Sequence, residues 1–269
     1  MKVSYKNHYG SDLEVVNAAR VSFSGESIWY AEYGDTQVLK DKDKHLIKFL
    51  ARGCTTKDWE QLFCDVAVAG RDECIYTGTE DRDKLQELLN HVKRMPSHWV
   101  PFANGGHIKM HFKVPLFVAR QLQKHTAGFN PWSEVSRRYV DSDPEFFVPK
   151  VWRGRSEDKK QGSDPSVSIN TAYYDRDDGY NSWDEDAQVI CLEAYQKMKE
   201  LGVAPEQARM VLPQSMYVEF IWAGNLFAWA SLYNTRSWGD SQAETANVAH
   251  QIKEIVEPLF PVSWKELTQ

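Results

Sequence analysis

His107-Ile108-Lys109-Met110-His111-Phe112-Lys113-Val114-Pro115-Leu116-Phe117-Val118-Ala119-Arg120-Gln121 carries two periodicities in succession. Ile108, Met110, Phe112 and Val114 face one way, and His107, Lys109, His111 and Lys113 face the other. Successive side chains of a strand point to opposite faces, so the alternation predicts a half-buried strand. Pro115 suits the first turn of a helix, where its missing N–H has no partner to lose. The spacing then predicts a helix from Leu116 to His125.

Outward from this stretch, Gly128-Phe129-Asn130-Pro131 predicts a loop. Upstream, residues 11–22 read as a short helix closing on Ala18-Ala19-Arg20-Val21-Ser22, and 41–53 carry Leu46, Ile47, Phe49 and Leu50 at helical spacing. The polar stretch 54–96 reads as a peripheral, helix-prone insert with Leu85, Leu88, Leu89 and Val92 on one stripe. Downstream, 153–186 is rich in Gly, Ser, Asp and Asn and reads as a long irregular excursion. Helices are expected at 187–201 and 206–212, with Pro213 interrupting. A strongly apolar helix is expected from Met216 to about Tyr233, and an amphipathic one from Glu244 to Leu259, ended by Pro261.

Hydrophobic residues make up 42% of the 269 and charged residues 26%, the balance of a soluble globular protein. No apolar run reaches the roughly 18 residues of a membrane span. Met1-Lys2-Val3-Ser4-Tyr5-Lys6 lacks the apolar stretch of a secretion signal, so a cytoplasmic location is expected. Cys54, Cys64 and Cys74 lie ten apart and Cys191 stands alone, whereas zinc sites pair cysteines two to four residues apart. Reduced structural thiols and no metal are expected. The net charge of −6 argues against a general nucleic-acid binder. Yet His107 to Arg138 holds six Lys or Arg and one acid. Such a segment is either a solvated basic face or a site for a small polyanion such as a nucleotide phosphate.

His107 and His111 do not form the helical zinc pattern, because Ile108 stands where a Glu is needed. The acidic stretch around Gly179 fails as a calcium loop, with Tyr174 and Arg176 at the first and third positions. Neither common glycine-rich phosphate cradle occurs, so a nucleotide must be held by side chains and helix ends. Gln121, Lys124 and His125 share one helical face, able to read a base edge and a phosphate together. Glu134, Ser136, Arg137 and Arg138 offer an acid, a hydroxyl and two guanidiniums, and Arg forks match phosphate oxygens bidentately. That cluster is either an anion site or a surface ion-pair patch. Asn225 and Arg236 lie eleven residues apart, three helical turns, so they share a face if the apolar helix persists. Asn225 is either a core amide bonded to backbone or a ligand contact.

Several stretches, in order, resemble the flavin-dependent thymidylate synthases. They are Ala18-Ala19-Arg20-Val21-Ser22, His98-x-x-Pro101-Phe102, Pro115 to Gln121, Lys124-His125-Thr126, Glu134-x-Ser136-x-Arg138-Tyr139, and Arg209-x-Val211-Leu212-Pro213 through Asn225 to Arg236. Their order and approximate spacing agree with that family across about two-thirds of the chain. The family's Arg-His-Arg followed by seven residues and Ser becomes Lys124-His125-Thr126 followed by nine residues and Ser136. Val100 stands where Thr is common, and Phe227 where an Arg often follows the Asn.

The resemblance implies an α+β fold, with helices around a central, mostly antiparallel sheet, in a single domain carrying the 54–96 insert and the 153–186 loop. It implies methylation of dUMP to dTMP with FAD as cofactor, methylenetetrahydrofolate as carbon donor and NADPH as reductant. It also implies a homotetramer with shared active sites. By position, Gln121, Lys124, Glu134, Val135, Ser136, Arg137, Arg138 and Arg209 would bind dUMP, and Arg236 would sit catalytically at the pyrimidine. Ser22, His98, Lys124, His125, Thr126, Glu134, Asn225 and Ser231 would contact FAD. No cysteine stands in the Pro-Cys context of the thymidylate synthases that attack C6 with a thiolate. A nucleotide-binding relative that has lost catalysis is the alternative, suggested by Thr126, Val100 and Phe227.

Overall fold

The computed structural model describes residues 1–31, 37–52, 96–136, 138, 142–156, 163–175, 179–239 and 241–268. Its elements begin with β1 (Lys2–Gly10), α1 (Asp12–Arg20), β2 (Tyr30–Ala31), β3 (Gln37–Val38), α2 (Asp41–Arg52) and α3 (Pro96–Gly105). Then come β4 (Gly106–Pro115), α4 (Leu116–Leu122), β5 (Ser133–Glu134), β6 (Trp152–Arg155), β7 (Ser163–Ile169), β8 (Ala172–Asp175) and β9 (Gly179–Ser182). The chain continues through α5 (Trp183–Glu200), α6 (Pro205–Ala208), β10 (Tyr217–Asn225), α7 (Leu226–Arg236), α8 (Ala243–Val256) and α9 (Pro261–Leu267). The fold is α+β, with a four-stranded sheet in the order β1-β4-β10-β5.

Two compact units are formed. The first comprises Met1–Asn7, Lys109–Gly224 and Leu232–Ile255, and the second His8–Ile108, Asn225–Ser231 and Val256–Gln269.

In the first unit, Met110, Phe112 and Val114 of β4 are buried together with Val218, Phe220 and Trp222 of β10. The Phe112 and Phe220 rings stack at 5.0 Å. Strand β5 pairs antiparallel with β10, placing Glu134 opposite Phe220. Pro115 stays extended and begins α4 from its N-cap position, as its fixed φ allows.

In the second unit, the Ser11 hydroxyl caps α1 by accepting from the Leu13 amide and donates to the Glu14 carboxylate. A Cβ on Gly105 would lie 2.5 Å from the Val15 backbone, so glycine lets α1 and α3 pack at close range. Arg20 pairs at 2.5 Å with the fully buried Asp43, which also accepts from the Ser27 hydroxyl at 2.9 Å. Arg20 therefore anchors α1 to α2, because a buried carboxylate requires a paired cation.

The strand and helix expected from His107 to Gln121 are present, although α4 ends at Leu122 rather than His125. Three expectations are corrected. The apolar helix from Met216 to Tyr233 is strand β10 followed by helix α7. A short continuous apolar run does not separate a buried strand from a buried helix, and here burial alternates along Tyr217–Asn225. The irregular excursion over 153–186 is instead two antiparallel ribbons, β6 with β7 and β8 with β9. Most side chains of β7 are exposed, so no apolar alternation marked it. Pro261 starts α9 rather than only ending the preceding helix. The insert expected over 54–96, with Cys54, Cys64 and Cys74, lies outside the described residues up to Pro96.

Candidate functional site

Helix α4, the loop after it and the end of α7 converge within the first unit. The Arg236 Nε–H donates to His125 Nε2 at 3.0 Å, and its Nη2 donates to the Gln121 carbonyl at 3.1 Å. No carboxylate pairs with Arg236 among the described residues, so a half-buried guanidinium stands beside an imidazole without a counter-charge. Burial first, and the Arg236 charge second, bring the His125 pKa down from 6.5 to about 4. At neutral pH the imidazole is therefore uncharged. Its Nε2 accepts from Arg236, so the proton sits on Nδ1.

The loop beyond α4 is fastened to β10. Asn130 N donates to the Ala223 carbonyl at 2.9 Å, and Trp222 Nε1 donates to the Asn130 carbonyl at 2.9 Å. Phe129 stacks on Trp222 at 4.1 Å, and Trp132 stacks on Phe220 at 4.0 Å. A Cβ on Gly224 would meet the Phe129 ring at 2.4 Å, so only glycine admits that ring. Phe129, Trp132 and Trp222, with Gln123, His125, Thr126, Asn130 and Pro131, line a cavity of about 450 Å³.

A second cavity, of about 870 Å³, also lies in the first unit, with Glu134, Val135, Arg209, Arg120, Lys113 and Glu219 among its lining. Lys113 is occupied by Glu145 at 2.6 Å and Glu219 at 3.6 Å, and Glu219 also meets His111 Nε2 at 3.2 Å. The side chains of Arg120 and Arg209 make no hydrogen bond or ion pair with the described residues. Glu134 has its pKa raised by desolvation, against the opposing effects of a hydrogen bond from Trp132 and the Arg209 charge.

The structure thus brings Gln121, His125 and Arg236 into contact, and places Glu134, Val135 and Arg209 around one cavity. His125 and Thr126 line the other. Lys124, Ser136 and Arg138 line neither of these two cavities. Lys124 and Arg138 are exposed, and the Ser136 hydroxyl accepts from the Arg138 amide. Arg137 and the Ser22 side chain lie outside the described residues.

His98, Asn225 and Ser231 belong to the second unit. The His98 ring meets Phe49 at 5.7 Å. Asn225 and Arg236 do not share three turns of one helix. Asn225 ends β10 and caps α7, its Oδ1 accepting from Ala228 N at 2.8 Å. Phe227 packs against Trp99 with ring centroids 5.8 Å apart, an apolar contact in place of a cationic one. Among the described residues no three His, Cys, Asp or Glu are grouped to hold a metal ion, and no helix is long and apolar enough to cross a membrane.

Arg120 was missed as a site residue, although it directly precedes Gln121 and belongs to the same run of cations. Nothing in the local pattern marked Trp132 and Trp222 as cavity walls, because aromatics at such positions are more often core.

The family model described as thymidylate synthase complementing protein matches residues 5–262. The chain belongs to this family. A flavin-dependent thymidylate synthase of Thermus thermophilus is 33% identical over 189 residues, covering 70% of this chain and 64% of that relative. The flavin-dependent thymidylate synthase of Thermosipho melanesiensis is 30% identical over 187 residues, covering 70% and 76%. The chain thus spans 64% of the length of the Thermus relative it matches. Two solved structures of the UMP/dUMP methylase PolB from Streptomyces cacaoi share the fold. The one bound with 5-Br UMP has a TM-score of 0.60 at 21% identity, over 99% of this chain and 93% of that one. The one bound with 5-Br dUMP has a TM-score of 0.61 at 22% identity, over 99% and 94%.

Proposed function

We propose that this member of the thymidylate synthase complementing family methylates dUMP at C5 to give dTMP, with FAD as cofactor, methylenetetrahydrofolate as carbon donor and NADPH as reductant. The observation that carries the reading is Arg236, a guanidinium with no carboxylate partner among the described residues, fixed against His125 and the Gln121 carbonyl.

Forming a carbon–carbon bond at C5 of uracil needs electron density at that carbon. Cys191, half-buried on α5, lines neither of the two cavities described above. A fixed positive charge at N3 and O4 achieves the same end by stabilising the enolate-like charge as it develops. Guanidinium suits this role because it keeps its proton at neutral pH and its fork is planar. Two Arg236 N–H groups are engaged by protein acceptors, which fixes the plane and leaves Nη1 to meet the base.

The 5′-phosphate is assigned to the larger cavity. There Arg209 and Arg120 present guanidiniums that no carboxylate meets in an ion pair among the described residues, and Glu134 and Val135 line the same wall. Lys124, Ser136, Arg137 and Arg138 belong to the same proposed nucleotide-binding set. The smaller cavity fits a flat heteroaromatic group, since Phe129, Trp132 and Trp222 form an apolar wall with a neutral His125 and the Thr126 hydroxyl at its edge. In the first unit, Lys124, His125, Thr126 and Glu134 would hold FAD. In the second, Ser22, His98, Asn225 and Ser231 would do so. Bound FAD supplies the redox chemistry that converts the one-carbon unit to a methyl group. His125 lines that cavity and, with Nε2 engaged by Arg236, keeps its Nδ1–H as a donor. A homotetramer with shared sites is part of the proposal.

The test is uptake of FAD, giving a yellow protein, and dUMP-dependent release of tritium from C5 in the presence of NADPH and methylenetetrahydrofolate. A protein that takes up no FAD and releases no tritium refutes the reading. The apolar packing of Phe227 on Trp99 favours the second reading, a relative that binds dUMP without turnover; binding of dUMP with no tritium release would select it.

A further inference from the structure

We propose that Thr245 and Gln242 are positioning residues for Arg236, acting through the side chain of Gln121. The inference deepens the reading above, since it concerns how that guanidinium is aimed.

Gln121 was expected to read the nucleotide with its side-chain amide. Its amide is engaged elsewhere. The Thr245 hydroxyl donates to Gln121 Oε1 at 3.0 Å, and Gln121 Nε2 donates to Gln242 Oε1 at 2.5 Å. Both amide atoms are therefore held by α8 and the residue preceding it, while the backbone carbonyl of the same Gln121 accepts from Arg236 Nη2. One residue thus joins the start of α8 to the guanidinium at the end of α7.

The anchor at the α8 end is firm. Thr245 is fully buried, and its neighbour Glu244 is gripped by Arg153 Nη2 at 2.7 and 2.8 Å to the two carboxylate oxygens. Arg153 is held in turn by its Nε bond to the Ser163 hydroxyl at 2.7 Å. The Gln242 carbonyl accepts from Ala246 N at 2.9 Å, so the first turn of α8 fixes that residue as well.

Among the described residues no carboxylate orients this guanidinium, and the constraint on it is the pair of acceptors, His125 Nε2 and the Gln121 carbonyl. The carbonyl lies on the last turn of a seven-residue helix, α4, where backbone carbonyls lack intrahelical partners and can tilt. Clasping the Gln121 side chain from two sides restrains that turn. A misplacement on the order of 1 Å at such a group lowers turnover about a hundredfold. The clasp therefore acts on the orientation of Arg236 while touching neither substrate nor cofactor.

The experiment follows His125 by proton NMR titration of the protein without ligands, alongside tritium release from C5 of dUMP. The variants are Thr245→Val, Thr245→Ser, Gln242→Ala and Arg236→Met. His125 senses Arg236 directly, so a guanidinium that wanders lets the imidazole titrate higher, toward what Arg236→Met shows. The expected result is a rise in Thr245→Val and Gln242→Ala, with turnover at least tenfold lower and dUMP affinity within threefold of the parent. Thr245→Ser, which keeps the hydroxyl, restores both readouts. If Thr245→Val fails to fold, Gln242→Ala decides by the same comparison. A His125 titration unchanged in a folded clasp variant, while Arg236→Met moves it, overturns the proposal. A rise in the clasp variants with no tritium release even from the parent protein upholds the clasp and refutes the proposed reaction.

Discussion

Replacing Arg236 by Met removes the charge while keeping an unbranched side chain of similar reach, and two magnitudes follow from the geometry. The first concerns His125. Two unit charges about 4 Å apart interact by about 1 kcal/mol in bulk water and about 4 kcal/mol at an effective dielectric of 20. A half-buried site falls between these limits. Burial is the larger cause of the displacement from 6.5 to about 4, and Arg236 the smaller. His125 of the variant should therefore titrate above the parent's value of about 4 and still well below 6.5, because burial remains. The second magnitude concerns turnover. Removing a preorganised group aimed at developing negative charge costs about 10² to 10³ in rate, roughly 3–4 kcal/mol. The two lost hydrogen bonds cost folded stability about 1 kcal/mol each or less. Tritium release from C5, NMR titration of His125 and thermal unfolding measure the three effects on one preparation. Turnover within fivefold of the parent, with His125 displaced as expected, would show that Arg236 steadies the imidazole and does nothing at the pyrimidine.

Arg120→Ala should raise the KM for dUMP about tenfold or more, the size of one lost charge-assisted hydrogen bond. Steady-state kinetics check this, and deoxyuridine, which lacks the phosphate, should be affected far less. Asn225→Ala removes the cap that accepts from Ala228 N and should cost about 1 kcal/mol, read as a Tm lower by about 2–4 °C. Acid should weaken the fold through His125. Its folded pKa lies below its unfolded one, so the unfolded chain binds the extra proton between the two values. The stability that His125 contributes is complete above about 6.5, declines as pH falls toward about 4, and is constant below that. After allowance for partial exposure the loss is about 1–2 kcal/mol. Urea unfolding at pH 7 and 4.5 should show this loss in the parent and not in His125→Gln.

Much of the fold was legible where one physical cause dominates locally. Strand β4 announced itself because one face is buried and the other is wet, which forces a period of two; Ile108, Met110, Phe112 and Val114 are all fully buried. Pro115 and the helix after it followed from backbone chemistry alone. Strand β10 was misread because Ile221 and Ala223 are also apolar, which hid the alternation of Val218, Phe220 and Trp222. The ribbons β6–β7 and β8–β9 were invisible because largely solvent-exposed strands carry no burial pattern.

At the candidate site, residue identity and spacing were enough to single out His125 and Arg236, 111 residues apart, and to name Glu134, Val135 and Arg209. Only the tertiary structure decided that Arg236 lies against His125 with no carboxylate beside it among the described residues, and that the Gln121 amide turns toward Thr245 and Gln242. It also decided that Arg120 joins Arg209 at one cavity. The reason is physical. A strand or helix is set by neighbours a few residues away, whereas the charge a guanidinium meets depends on which distant segments the packing brings beside it.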